Sequence, residues 1–527
     1  MTYDNTFAEA HHLKVMAGMN AEDDEYINFY AERKDMLDPS KPELNLATGD
    51  QLVGSGHTHA AYAGFFGRIN YGYKDKYLLE LNGRYDGSSA YSPEKRWALF
   101  TSGSVGYRIS SEPFMDFIKP LFTDLKLRAS LGTIGNLNVG GQYFIPTMSS
   151  YSADWVVGGV TVNTFHNPIA VAKSLSWEKV NTLDFGLDFG LLKNYISGSF
   201  DWYQRTTKGM LSTNKVAATF GANAPRTNQG NMQDRGFEVE VQMNYPVNDD
   251  LKLFAILSFN NNKAVITKWN NQAEVIDDYY SGAVYGDIWG FETDGYFQSD
   301  DEVANSPSQS KLETGNFTYG PGDVKFKDLN GDGVIDGGTS TADDHGDLTV
   351  IGNTQPHYLY GFQFGGNWKG FDLYVFLQGV GKRDFWGLGD MVIPMYSGAQ
   401  ILYKHQLDYW TKDNRHAKYP RPYAGNSGGT IGGIDAGGNN FYPQSKYLMN
   451  LAYCRLKNLT IGYSLPDHIV DHLHLQNVRI YVSGQNLTEI DNVGVPLDPE
   501  ITDGQLGYTG RTFPFQRNYS FGVQVTF

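Results

Sequence analysis

The 527 residues contain one cysteine, Cys454. It can form no intrachain disulfide and contribute to no multi-cysteine metal site; beside a strand pattern it reads as a small, inert, partly buried side chain. Long apolar runs are missing as well. No window approaches the roughly 18 consecutive apolar residues of a spanning helix, so any passage through a bilayer must use strands. Basic charge is scarce: 58 Asp and Glu stand against 42 Lys and Arg, a formal net charge of -16. Phosphate binding wants clustered cations, so a nucleic-acid partner is not expected. The opening residues, MTYDNTFAEAHHLKV, lack the basic start and apolar core of a secretory signal. Either the protein stays in the cytoplasm or this sequence is part of a longer precursor. Catalytic signatures are equally thin. There is no HExxH, GxSxG or P-loop, and neither of the spaced pairs His57 with His59 and His472 with His474 has a carboxylate at metal-ligand spacing. The chain is not expected to be an enzyme.

Aromatic residues are abundant. They make up 14% of the chain, with 35 Tyr and 31 Phe, although only 41% of residues are hydrophobic; the chain is both aromatic-rich and polar. Its length would suggest about three or four soluble domains. A large barrel escapes that limit because its interior need not be packed. The last residues, NYSFGVQVTF, alternate Tyr519, Phe521, Val523, Val525 and Phe527 with small or polar neighbours. An extended chain would place all five on one face, as a barrel strand in lipid or a sandwich edge strand does.

The rest of the chain decides between those two. Alternating segments number about fourteen. The plainest are 65–73, 77–85, 97–109, 125–131, 183–189, 237–245, 251–259, 360–368, 371–379, 478–484 and 519–527, with weaker ones at 12–29, 195–206 and 452–463. Very short links at 74–76, 192–194, 246–250 and 369–370 imply antiparallel hairpins. Counting back from Phe527, the connectors run long, short, long, short, and the alternation weakens only at 87–96. Sandwiches do not sort loop length by parity, whereas a transmembrane barrel has tight periplasmic turns at one end and long outer loops at the other. In YLLELNGRYDGSS, Tyr77, Leu79, Leu81 and Tyr85 would face lipid. Glu80, Asn82, Arg84 and Asp86 would face a polar interior. The fold class is therefore all-β: a transmembrane antiparallel barrel with long extracellular loops.

One motif carries metal chemistry. DLNGDGVID, Asp328 to Asp336, offers Asp328, Asn330, Asp332, the Val334 carbonyl and Asp336 as oxygen donors, with Gly333 for the sharp turn. These match the first nine positions of a calcium loop. Position twelve is Thr339 where a bidentate carboxylate is expected, so an EF-hand is rejected; Asp343, Asp344 or Asp347 could supply the missing group. Calcium is preferred to magnesium, because the turn offers many protein oxygens. The glycine-rich GNSGGTIGGIDAGGNN, 425–440, reads as a flexible outer loop.

The blocks YKDKYLLELNGRYDGSSAYSPEKRWALFTSGSVGYRIS, LKLRASLGTIGN, LSWEKVNTLDFGLDFGLLKN, DVKFKDLNGDGVID, LTVIGNTQPHYLYGFQFGGNWKGFDLYVFLQGV, YCRLKNLTIGYSLP and VRIYVSGQNL resemble the SusC-like (SusC/RagA) branch of TonB-dependent outer-membrane transporters. They occur in the family's order, and the resemblance extends from near residue 10 to Phe527. Members carry a signal peptide, a TonB box and a plug ahead of a 22-stranded barrel. None of these is recognisable here, so residues 1–527 look like the C-terminal barrel portion of such a transporter, with strands from an N-terminal segment closing the wall. Family members usually place the closing Asp of the loop near position twelve, directly before a TVIGN-like segment. Here Asp347 holds that place before LTVIGN, further along than usual.

The resemblance implies localisation in the outer membrane of a Gram-negative type cell and TonB-driven import of oligosaccharides or of other large nutrients such as peptides. It also implies a SusD-like lipoprotein lid over the outer loops, with TonB acting through the N-terminal region. Two other readings share the strand pattern: a passive porin, and a secreted carbohydrate-binding or adhesive β-protein. Nothing in the residues names the cargo.

Overall fold

The computed structural model describes residues 1–136, 144–213, 216–315, 317–389, 391–394, 402–423, 438–472, 474–500 and 515–527. In chain order its strands begin with β1 Thr2–Phe7, β2 His11–Arg33, β3 Gln51–Tyr73, β4 Tyr77–Ser88, β5 Trp97–Arg108 and β6 Phe122–Asn136. A separate hairpin follows, β7 Ser150–Val157 and β8 Val160–Phe165, and then β9 Glu178–Leu191, β10 Ile196–Thr213, β11 Arg226–Pro246 and β12 Leu251–Lys268. The next connection carries β13 Asp287–Phe291, β14 Thr293–Tyr296, β15 Val324–Phe326 and β16 Leu348–Asn353. The last strands are β17 His357–Trp368, β18 Phe371–Lys382, β19 Asp384–Phe385, β20 Met449–Ser464, β21 Asn477–Asn492 and β22 Asn518–Thr526.

One 16-stranded sheet takes β1 to β6, β9 to β12, β17, β18 and β20 to β22 in sequence order, with β19 as an added partner of β20. The expected fourteen strands are all present, most of them longer than read. The short strand β1 is an addition. It pairs antiparallel with β2 from Thr2 opposite Met16 to Phe7 opposite His11. Its TYDNTF is too polar to stand out by alternation, and the register comes from β2. The final strand stops at Thr526, one residue short of Phe527.

Connection length follows parity. At one end of the strands lie 8–10, 74–76, 192–195, 247–250, 369–370 and 465–476; at the other lie 34–50, 137–177, 214–225, 269–356, 383–448 and 493–517. Three links depart from the pattern, among them 465–476, whose twelve residues equal those of 214–225 at the other end. The connection 89–96 is short for its end, and 109–121 is long for its own because two 3-10 segments, Ile109–Ser111 and Pro113–Ile118, occupy it. The tight turns have the backbone they need: Lys74 and Asp75 take φ of 51° and 52°, and Lys369 and Gly370 take 48° and 88°. Two positive φ values in succession match the right-handed strand twist. A Cβ at Gly370 would stand 2.8 Å from the Ser464 carbonyl oxygen. Glycine is required there on both grounds.

Contacts within the chain define two units, Met1–Tyr107 with Arg128–Leu183 and Arg205–Asn231, and Arg108–Leu127 with Asp184–Gln204 and Met232–Phe527. In the first, a small core of Tyr91, Phe100 and Trp177 is buried, and the Trp177 indole donates to the Arg96 carbonyl at 3.0 Å. The second holds the main core. Most of it lies off the main sheet, in the long connections, where Phe291, Tyr296, Phe297, Val324, Ile335, Trp410, Tyr419 and Tyr447 pack together, joined by Met449 and Leu451 from the start of β20. No described helix is long and apolar enough to cross a membrane.

Candidate functional site

The strand faces are built for two solvents. On β4 of the first unit, Tyr77, Leu79, Leu81 and Tyr85 are all exposed. Rings gather at both ends of this face. Tyr77 stacks on Tyr107 at 5.2 Å and lies 6.3 Å from Tyr73, while Tyr85 stacks on Trp97 at 5.1 Å. The two clusters are eight residues apart on one strand, about 26 Å along it at about 3.3 Å per residue. A strand tilted by about 40° lays that length across roughly 20 Å, close to the roughly 25 Å apolar band between the aromatic girdles of outer-membrane barrels. In the second unit Phe371 packs on Tyr463 at 4.5 Å beside the 369–370 turn, with Trp368 opposite Phe371 in register.

The other face of β4 is polar and internally satisfied. Glu80 accepts from Asn70 at 2.5 Å and from Asn82 at 2.8 Å, and Asn82 in turn accepts from Arg68 at 2.7 Å. Arg84 donates to both oxygens of Asp86, at 2.8 and 3.1 Å. This bidentate pair fixes the guanidinium. The face agrees with the assignment of Glu80, Asn82, Arg84 and Asp86 to the interior.

The long connections of the second unit form a packed cap of their own. At its centre Asp323 is fully buried. Its carboxylate accepts from the Gly320 amide at 2.8 Å, the Asn440 amide at 2.9 Å, the Tyr423 hydroxyl at 2.8 Å and Arg421 at 3.3 Å. Burial raises its pKa above the ordinary Asp value even so, because the four partners compensate only part of the lost hydration. Tyr296, Tyr423 and Tyr447 are pushed well up by the same burial. The last residues of the glycine-rich run pack into this cap: Asn439 and Asn440 are fully buried, and Asn440 also accepts from the Val324 amide at 2.7 Å. Residues 425–437 of that run lie outside the described residues.

The calcium-like loop is compact. Both oxygens of Asp328 are taken by loop amides, Gly331 at 2.7 Å and Gly333 at 2.9 Å. Asn330 accepts from Asp332, Asp332 from Val334, and Asp336 from Gly338. Asp347 is drawn into this loop and fully buried, accepting from Leu329 at 2.6 Å and Asp336 at 3.0 Å. Asp344 accepts instead from Thr339 at 3.1 Å, and Asp343 is exposed. The structure thus brings Asp328, Asn330, Asp332, Val334, Asp336 and Asp347 into one turn. The donor set is all oxygen, which suits a hard cation. As the side chains stand, no group of three or more His, Cys, Asp or Glu among the described residues is disposed to hold a metal. The same oxygens cap amides.

Sequence reading missed two arrangements. His57 bonds Glu25 at 2.9 Å and His59 bonds Asp23 at 2.6 Å across the β2–β3 hairpin; only the strand register, Glu25 opposite His59, reveals the pairing. The other is Arg455, whose side chain is 1% exposed. It donates to Glu500 at 2.6 Å, to Asp498 at 2.5 Å and to Glu489, and its guanidinium lies 4.8 Å from the Phe515 ring. Lys457 reaches Glu500 at 2.5 Å. The cluster ties the connection after β21 to the wall. Asp498 and Glu500 carry no local pattern that could have announced it.

Comparison with known proteins places this architecture. The family described as TonB dependent receptor-like, beta-barrel, matches residues 2–487. The chain belongs to that family. TonB-dependent receptor P3 of Formosa agariphila is 27% identical to it over 555 residues, covering 100% of this chain and 52% of the relative. TonB-dependent receptor SusC of Bacteroides thetaiotaomicron is 26% identical, covering 89% and 44%. Among solved structures, the RagAB peptide importer in its closed-closed state superimposes with a TM-score of 0.78 at 22% identity, covering 100% of this chain and 55% of that one. The chain spans about half the length of the curated relatives it matches. As a TonB-dependent receptor-like barrel it is an outer-membrane protein. The face carrying Leu79, Leu81 and the two ring clusters is its lipid face, the 369–370 end is periplasmic, and the buried Asp323 cap and the 328–347 loop are extracellular.

Proposed function

We propose that this chain forms part of the wall and the extracellular loops of a SusC/RagA-type transporter that imports oligosaccharides or peptides across the outer membrane, driven by TonB. The observation that carries the reading is the packed cap built from the connections 269–356 and 383–448, together with the family match. A passive porin needs no core outside its barrel, whereas a surface that docks a lid needs loops of fixed shape. The partner is then a SusD-like surface lipoprotein. The coupling to TonB and the remaining wall strands belong to the part of the relatives that this chain does not match. In the same reading the 328–347 loop holds calcium through Asp328, Asn330, Asp332, the Val334 carbonyl, Asp336 and Asp347, and the ion stiffens a portion of the cap that meets the lid.

Uptake decides it. Cells producing the transporter should accumulate labelled oligosaccharide or peptide, and collapsing the proton gradient or deleting TonB should abolish accumulation. Accumulation that persists without TonB would favour a porin.

A further inference from the structure

The connection 465–476, at the periplasmic end of the wall, carries the short helix Asp467–His472, DHIVDH. Pro466 opens it, its carbonyl accepting the Ile469 amide at 2.9 Å. The far end closes with the Leu475 amide on the Val470 carbonyl at 3.2 Å and the His474 amide on the Asp471 carbonyl at 3.1 Å. His474 takes the left-handed conformation, φ 55°, that this Schellman closure requires. The connection is also tied to the sheet on both sides of the helix: the Leu465 amide donates to the Val478 carbonyl at 2.9 Å, and the Gln476 amide to the Thr526 carbonyl at 2.8 Å. A helix of 6 residues has little stability of its own. These bonds make it a fixed platform.

What the platform presents follows from the helical period. At about 100° per residue, His468 and His472 stand one turn apart, and the midpoint between them lies about 180° around the helix from Val470. Val470 is the residue this helix buries, and both histidines are exposed. Side chains at i and i+4 are neighbours, about 5–6 Å apart at Cβ, and this is the spacing at which the two histidines of an HExxH helix hold zinc. One ring is already oriented: His472 Nδ1 lies 2.7 Å from the His468 carbonyl oxygen. A carbonyl only accepts, so Nδ1 carries the proton and the lone pair of the neutral ring is on Nε2. Metal-ligating histidines are held in this way, by a bond from the other ring nitrogen. The outer pair differs, because the Nε2 atoms of His57 and His59 are each taken by a carboxylate. Asp467 and Asp471, each preceding one of the helical histidines, are exposed as well and add negative charge that attracts a cation. Ile469 stands where HExxH has its glutamate, so the pair has no general base for hydrolysis.

We propose that His468 and His472 form a periplasmic binding site for a divalent first-row transition-metal ion, copper or zinc, coordinated through the two imidazoles. Among the described residues no group of three or more His, Cys, Asp or Glu is disposed to hold a metal. The site therefore has two protein ligands, and water or a donor from another molecule takes the remaining positions. Imidazole nitrogen selects copper and zinc, whereas the all-oxygen set of the 328–347 loop suits calcium. The two sites differ in ion and in side of the membrane, and the periplasmic one is independent of what the transporter carries.

The test is titration of copper and zinc into the purified whole transporter in detergent, without a polyhistidine tag and after chelation. Calorimetry reads affinity, and for copper the electron spin-echo modulation from coordinated imidazole nitrogens counts the histidines on the ion. The difference between wild type and the His468→Ala/His472→Ala double variant isolates this site from the other histidines, and it should correspond to one ion carrying two imidazoles. Each single variant should weaken binding at this site at least about tenfold, the least that losing even an outer-shell partner of a metal typically costs, with unchanged heat-modifiable migration showing an intact barrel. His474→Ala should bind as wild type does. Equal binding by wild type and the double variant would overturn the site. An equal loss in His474→Ala would overturn the helical pair, because the ion would then be held by a loose group of histidines.

Discussion

The Asp347 carboxylate spans the turn that begins at Asp328, taking the Leu329 amide at 2.6 Å on one oxygen and the Asp336 amide at 3.0 Å on the other. One buried side chain therefore fastens both ends of the DLNGDGVID segment. Replacing it with Ala should take the acceptor from the Leu329 and Asp336 amides, and from the Asn330 amide that also reaches it at 3.4 Å, at about 1–3 kcal/mol for each amide left unpaired. Hydrogen exchange should accelerate across 328–347 in Asp347→Ala while the wall strands keep their protection. Unchanged exchange in the turn would show that the carboxylate does not organise it.

Calcium occupancy is a separate matter from that fastening. Among the described residues Asp332 accepts only the Val334 amide and a side-chain bond from Asn330, so Asp332→Ala should lower calcium affinity without dissolving the turn. Titration after chelation checks this. Equal affinity in variant and wild type would remove Asp332 from the ligand set.

Arg455 should matter more than a surface arginine. Removing one partner from a buried charge cluster typically costs about 3–5 kcal/mol, because the remaining charges stay desolvated and unpaired. In Arg455→Ala the carboxylates of Glu489, Asp498 and Glu500 would face each other with only Lys457 between them and solvent. The expected outcome is protease cleavage near 493–500 on intact cells, with the barrel still assembled. Resistance equal to wild type would mean the cluster is not what holds this connection.

The buried Asp323 gives the cap a pH dependence of known sign. Its folded pKa is raised, so its folded form binds the proton more tightly than the unfolded chain does. The stability it contributes is fully present below the unfolded value, about 3.9, and is lost as pH rises through the raised folded value. Cap amides around 320–324, corrected for intrinsic exchange, should be better protected as pH falls from neutrality toward that range, and Asp323→Asn should flatten the trend. A trend of opposite sign would contradict the burial argument.

How much of this was legible in the sequence varies with what sets each feature. Strands such as β4 and β18 were readable because one face meets lipid and the other does not, so period-2 alternation survives in the residues themselves. Loop parity followed from the same segments. β1 escaped because a polar strand is defined by its neighbour's register. The cap escaped for a different reason: Asp323, Tyr423 and Asn440 are brought together by tertiary packing across long connections, and a local window contains only one of them at a time. Asp347 lies between these cases. Its place before LTVIGN marked it, while its amide bonds are visible only in the folded turn.

Charge placement distinguishes the two faces energetically. An arginine at Leu81, near the middle of the apolar band, should cost about 2–4 kcal/mol of barrel stability, and one at Ser102 on the opposite face far less. Urea titration of refolded barrels in lipid vesicles measures both. Equal costs would mean the faces are not lipid and lumen.

The most direct measurement is spin-label accessibility at the adjacent positions Leu81 and Asn82, made in a Cys454→Ser background with one new cysteine at a time. In lipid vesicles the label at Leu81→Cys should relax with oxygen, which partitions into the bilayer, and be shielded from a water-soluble nickel chelate. The label at Asn82→Cys should show the reverse preference. The same preference at both positions would contradict a membrane wall with lipid on one face and a polar lumen on the other.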